Sequence, residues 1–84
     1  MTASGAVHPA RLARAVHLEA ERIGNGAWTV SGGRELHVVS EDTTECDCTD
    51  HQVRGGPCKH ALCVRLRLGD VPTLRALRTI VAAA

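Results

Sequence analysis

The sequence predicts an α+β fold: a small β-hairpin, or three short strands, followed by a helix and flanked by an N-terminal and a C-terminal helix. Three observations predict it. Apolar residues recur at helical spacing near both ends of the 84-residue chain. Between them, "AWTVSGGRELHVVS" reads as paired strands around Gly32-Gly33. Finally, "CDCTDHQVRGGPCKHALC" gathers all four cysteines into the run that joins the hairpin to the next helix. At this length the chain is one domain with short appendages. Its expected divisions are a helical arm over residues 1–26, a central module over 27–69 and a C-terminal helix over 70–84.

Each element has a local reason. "HPARLARAVHLEAERIGNG" reads as a helix over 9–23, with Pro9 at a first helical position and Gly24 and Gly26 as the stop. Leu12, Val16, Ala20 and Ile23 form its stripe, with Ala13 beside it, while Arg11, Arg14, Glu21 and Arg22 lie away from it. His8 and His17 have no second ligand type close in sequence, so solvated or capping roles are expected. For the hairpin, side-chain parity selects the loop. A two-residue loop pairs Val30 with Glu35 and Trp28 with His37, setting apolar against polar. A three-residue loop over 32–34 pairs Val30 with Leu36 and Trp28 with Val38, gathering four apolar side chains on one face. His37 then points away from them, as a surface strand residue. "CKHALCVRLRLG" reads as a helix ending at Gly69. Asp70 and Pro72 open a last helix whose stripe is Leu74, Leu77, Ile80 and Val81, either core or an exposed docking face.

The core is thin. Of the 44% hydrophobic residues much is alanine, and Trp28 is the only aromatic side chain. Domains of this size usually need a staple. The polar run "EDTTECDCTDHQVRGGP" cannot be ordered by packing alone. Cys46-x-Cys48, nine residues, then Cys58-x-His60 supplies what a tetrahedral structural zinc requires, three thiolates and an imidazole. Residues i and i+2 of an extended segment point the same way, so Cys46 and Cys48 deliver two sulfurs together. Cys58 just before a helix and His60 in its first turn deliver the other pair, after a turn at Gly55-Gly56-Pro57. Four rivals remain: Cys63 in place of His60, His51 as a ligand, disulfides, or unligated structural cysteines. Four cysteines allow three disulfide connectivities, and none explains His60. Lys59 is placed to set its ammonium near the thiolates or to contact a partner.

On these residues the chain resembles the SWIM zinc finger family, in which a Cys-x-Cys, a spacer and a Cys-x-His sit on a β-hairpin followed by a helix. "CDC" and "CKH" carry the resemblance, with "WTVSGGRELHVV" like its strand pair and "ALCVRLRLG" like its helix, across 27–69. The resemblance implies one structural Zn2+ held by Cys46, Cys48, Cys58 and His60. It also implies a role in binding DNA or protein, since such fingers occur in helicase-like remodelling ATPases, transposases and recombination accessory proteins.

Charge and composition weigh the function classes. A closed four-ligand shell leaves no site for a reacting water, so no enzyme is expected. The acids Glu41, Asp42, Glu45, Asp47 and Asp50 read as a solvated loop. A net charge of +1 gives weak long-range attraction to nucleic acid. Arg54, Lys59, Arg65 and Arg67, with Arg75 and Arg78 beyond them, are the candidate phosphate contacts if DNA is the ligand. A protein partner is the leading expectation and nucleic acid the alternative. "MTASGAVHPA" lacks the features of a secretory leader, and no apolar run is long enough for a bilayer, so a cytoplasmic location without membrane attachment is expected.

Overall fold

The computed structural model describes residues 7–24, 26–32 and 35–83. The opening residues 1–6, Asn25, the hairpin-loop positions Gly33 and Arg34 and the final alanine lie outside the described residues. In chain order the elements are α1 (Pro9–Ala15), β1 (Glu19–Arg22), β2 (Trp28–Ser31), β3 (His37–Val39), α2 (Thr49–Arg54), α3 (Lys59–Leu68) and α4 (Val71–Ala83). The strands form an antiparallel sheet in the order β1-β2-β3. Helix α3 packs across this sheet, with α1 and α4 beside it. The α+β architecture is therefore as the sequence predicts, with three strands.

Helix α1 is shorter than its periodicity suggests. Its N-cap is His8, whose Nδ1 accepts the Ala10 N–H at 3.2 Å, and Pro9 occupies the first turn. Leu12 and Ala15 are buried, but Val16 is 45% exposed. After Ala15 the helix tightens, with i→i−3 bonds from His17 N–H to Arg14 O and from Leu18 N–H to Ala15 O. Residues 19–22, expected as helix, are instead β1. Leu18 and Ala20 fit a period of two as well as Ala20 and Ile23 fit a helical stripe, and four residues are too few to separate the two. Pairing decides: Ala20 lies opposite Val30 and Arg22 opposite Trp28, giving β2 a partner on both edges. Gly24 and Gly26 lie in the connection between β1 and β2 rather than at a helix stop. Gly26 N–H bonds Ile23 O, and Ile23 N–H bonds Ala27 O, both at 2.9 Å.

The β2–β3 register also differs. Trp28 pairs with Val39, Thr29 with Val38 and Val30 with His37, so the loop is one residue longer than expected. That single step exchanges the faces of β3. Val39 and His37 turn inward beside Trp28 and Val30, while Leu36 and Val38 are 61% and 42% exposed. Val39 then forms an isolated bridge with Cys46, which carries the sheet's edge into the cysteine-rich run.

The core consists of Leu12, Trp28, Val30, Val39, Leu62 and Val64 with smaller side chains between them. Helix α3 contributes the unbroken buried run His60 to Val64, since it lies between the sheet and the other helices. It ends at Gly69 in the left-handed conformation, as predicted. Asp70 then caps α4, its Oδ2 accepting the Thr73 N–H at 3.2 Å and the Thr73 hydroxyl at 2.6 Å. The α4 stripe divides: Leu77 and Ile80 pack against the core, whereas Leu74 and Val81 are 40% and 66% exposed. Among the described residues no helix is long and apolar enough to cross a membrane.

Candidate metal centre

Cys46 and Cys48 lie on the extended segment after β3, with Asp47 between them facing solvent. This is the alternation expected of i and i+2 in extended backbone. Cys48 also serves as the N-cap of α2, its sulfur accepting the His51 N–H at 3.3 Å. Gly55 and Gly56 follow, both at φ +70°, and Gly55 has ψ −176°. Only glycine takes that backbone readily, and it turns the chain sharply toward Pro57 and Cys58. Cys58 is the N-cap of α3 and His60 lies in its first turn, as the spacing predicts.

All four side chains are buried, and one donor atom from each lies within 4.8 Å of the other three. The nitrogen of His60 that faces the sulfurs is Nδ1, at 3.7 Å from Cys46 Sγ and 3.9 Å from Cys58 Sγ. Bond lengths of about 2.3 Å to sulfur and about 2.0–2.1 Å to nitrogen imply tetrahedral edges of roughly 3.5–3.8 Å. The donor set and its spacing therefore fit one zinc ion, and only a small contraction separates the side chains from that geometry. All four cysteines are free thiols rather than disulfides.

Cys63 and His51 fall outside the cluster. Cys63 is buried three residues further along α3, and His51 donates from Nδ1 to the Gly56 carbonyl at 3.0 Å.

The thiols perturb one another. A hydrogen bond from Cys46 holds the Cys58 thiol well below its ordinary range, against an upward push from burial. That same bond, reinforced by burial, pushes Cys46 up. Burial raises Cys48. One sulfur is thus disposed to be a thiolate before any ion arrives, and the other two must each release a proton to bind it.

The surroundings contain groups that sequence reading did not reach. His37, expected on the outer face, has its ring centroid 4.3 Å from that of His60. Its Nδ1–H donates to Asp47 Oδ1 at 2.8 Å, since a carboxylate only accepts. Asp47 is lowered on balance: burial opposes, while the bonds from His37 and from the Val38 N–H favour its charged form. Arg11 reaches from α1, placing Nη1 3.1 Å from Gly55 O and 3.3 Å from Pro57 O, and Nε 3.0 Å from Asp50 Oδ2. A signal for His37 existed in the parity of "LHVV", which fits either face. For Arg11, 39 residues from Asp50, there was none.

Part of the acidic run is helix α2, and its acids make local bonds. Asp42 Oδ1 accepts from Ser40 Oγ, Thr44 N–H and Thr44 Oγ1, and these three bonds, the Thr44 hydroxyl foremost, lower its pKa.

The candidate phosphate contacts are dispersed. Arg54 sits on α2, 3.6 Å from Asp50. Lys59 opens α3, Arg65 donates to Thr43 Oγ1 at 2.9 Å, and Arg67 is exposed.

No curated protein and no solved structure matched the chain. The family model for the SWIM zinc finger matches residues 23–68, more than half of the chain. That span runs from the β1–β2 turn to the last residue of α3 and includes all four buried ligands. With three thiols and one imidazole gathered between a sheet edge and a helix start, and the family match laid over them, the chain belongs to the SWIM zinc finger family.

Proposed function

We propose that this protein is a non-catalytic adaptor whose zinc is structural and whose helical face docks a partner protein. One observation carries the non-catalytic part. Three sulfurs and a nitrogen, all from buried side chains, would complete a tetrahedral shell around one zinc, with no position left for a water or substrate. Zinc bound there holds the hairpin to α3 and the polar run to both. Reduced thiols of this kind suit a cytoplasmic setting.

Docking is supported by a groove of about 660 Å³ between α1, β1, α3 and α4. Leu18, Leu66, Leu74 and Leu77 line it, together with Glu19 and Arg67. A groove lined by four leucines and one charge of each sign suits an amphipathic helix of a partner. The nucleic-acid alternative draws less support. Of its four candidate residues, Arg54 and Arg65 are engaged within the fold, and Arg65 and Arg67 are two positions apart on a helix, so they do not share a face.

A photo-crosslinking residue at Val16, beside the groove, tests the reading in nuclease-treated lysate. A protein adduct that is lost in Leu74→Glu is expected. Duplex DNA binding that falls steeply with salt and survives Leu74→Glu would replace docking with the nucleic-acid reading.

A further inference from the structure

We propose that His37 is a positioning residue for the metal centre, holding the Cys46–Cys48 pair and His60 in register with each other. It touches both halves of the ligand set. On one side its Nδ1–H bonds Asp47 Oδ1 at 2.8 Å, and Asp47 is the residue between the two cysteines. The same carboxylate oxygen accepts the Val38 N–H at 3.2 Å, and the Asp47 N–H donates to Val38 O at 3.3 Å. The Cys46–Cys48 segment is thereby tied to β3 through side chain and backbone together. On the other side, the His37 ring lies against the His60 ring, with centroids 4.3 Å apart and planes tilted by 42°. Nε2 of His37 faces Glu35 Oε1 at 3.6 Å, so a carboxylate stands at each of its nitrogens.

The sheet register points the same way. A slip of one residue would bury Leu36 and Val38 in place of His37 and Val39. The fold instead leaves those two apolar side chains exposed and turns an imidazole inward. His60 must aim Nδ1 at the sulfurs, and the freedom left to it there is rotation of its ring. A second ring packed against it from a strand restricts that rotation. Groups one step behind the ligands act on metal affinity in this way, by fixing ligand orientation.

The test measures zinc affinity by chelator competition, and the visible absorption bands of the cobalt-substituted form, in the full chain. Three variants are compared with the native sequence. His37→Ala removes both contacts, His37→Asn keeps a donor for Asp47, and His37→Phe keeps a ring for His60. His37→Ala is expected to weaken zinc binding about 10–100-fold and to shift the cobalt bands, with Asn and Phe each recovering part of the loss. Zinc affinity within about twofold of native and unchanged cobalt bands in His37→Ala would overturn the proposal, whatever happens to thermal stability. If His37→Ala does not fold at saturating zinc, the other two decide. Native affinity and spectrum in both would overturn the proposal, and partial loss in either would sustain it.

Discussion

At the scale of single residues, Arg11 does more than its position in the sequence suggests. It lies away from the apolar stripe of α1 and outside the family match, yet its side chain is only 13% exposed. Two of its nitrogens hold the Asp50 carboxylate, and the third reaches the carbonyls of Gly55 and Pro57. This planar fork fixes the loop that presents Cys58, a task a lysine's single ammonium does not reproduce. Arg11→Ala and Arg11→Lys are each expected to lower stability by about 1–3 kcal/mol, the usual loss when charged hydrogen bonds are removed from a partly buried site. Amide hydrogen exchange should quicken across residues 50–57 while leaving α3 protected.

Cys63 gives a second residue-scale expectation. Burial, then the Glu19 carboxylate, raises its pKa above the ordinary value of 9.0. A raised thiol is favoured neutral in the fold, so its contribution is intact below the ordinary value of 9.0 and is lost as pH rises from there through the raised folded-state value. The thermal midpoint of the zinc-loaded protein should therefore fall as pH rises above 9.0. Cys63→Ala should flatten that fall, and an equally steep profile in the variant would contradict it.

Among the elements, α4 shows how capping and packing divide the work. Asp70 satisfies the Thr73 N–H and its buried hydroxyl, and Gly69 takes φ +77° to release the chain from α3. Asp70→Ala removes an N-cap and leaves the Thr73 hydroxyl without its acceptor. It is expected to lower stability by about 1–2 kcal/mol in thermal melts, with zinc affinity unchanged because the cap is remote from the ligands. The two helix ends at Gly69 and Asp70 were legible because glycine and aspartate have local reasons to stand there. The β1 strand was not. Its four residues acquire their conformation from pairing with β2, and nothing within "EAER" selects a strand over a helix.

For the molecule as a whole, the metal centre substitutes for a large core. A chain of this size has a stability of only about 5–15 kcal/mol at best, whereas a structural zinc site binds with about 10–16 kcal/mol. Cys58→Ser is therefore expected to abolish the cooperative melt of the sheet and α3, and chelator treatment of the native protein should do the same by circular dichroism. Retention of the native spectrum in both would show that packing alone suffices. Acid should act alike. Cys46 and Cys48 hold their protons in the metal-free fold, so zinc affinity should fall as pH drops, by about a hundredfold per unit while two protons exchange with the ion.

The order of residues alone determined the Cys-x-Cys and Cys-x-His pairs as ligands, with Cys63 and His51 still rivals, the helix starting at the third cysteine's shoulder, and the junction of the last two helices at Gly69 and Asp70. Each of those depends on chemistry within a few positions: sulfur and imidazole at fixed offsets, a glycine that turns, a carboxylate that caps. The tertiary structure decided the rest, namely that "EAER" becomes a strand, that β3 turns His37 rather than Leu36 inward, and that Arg11 grips a loop far along the chain. Those outcomes come from partners distant in sequence, whose contacts outweigh the small local preferences that a short segment carries.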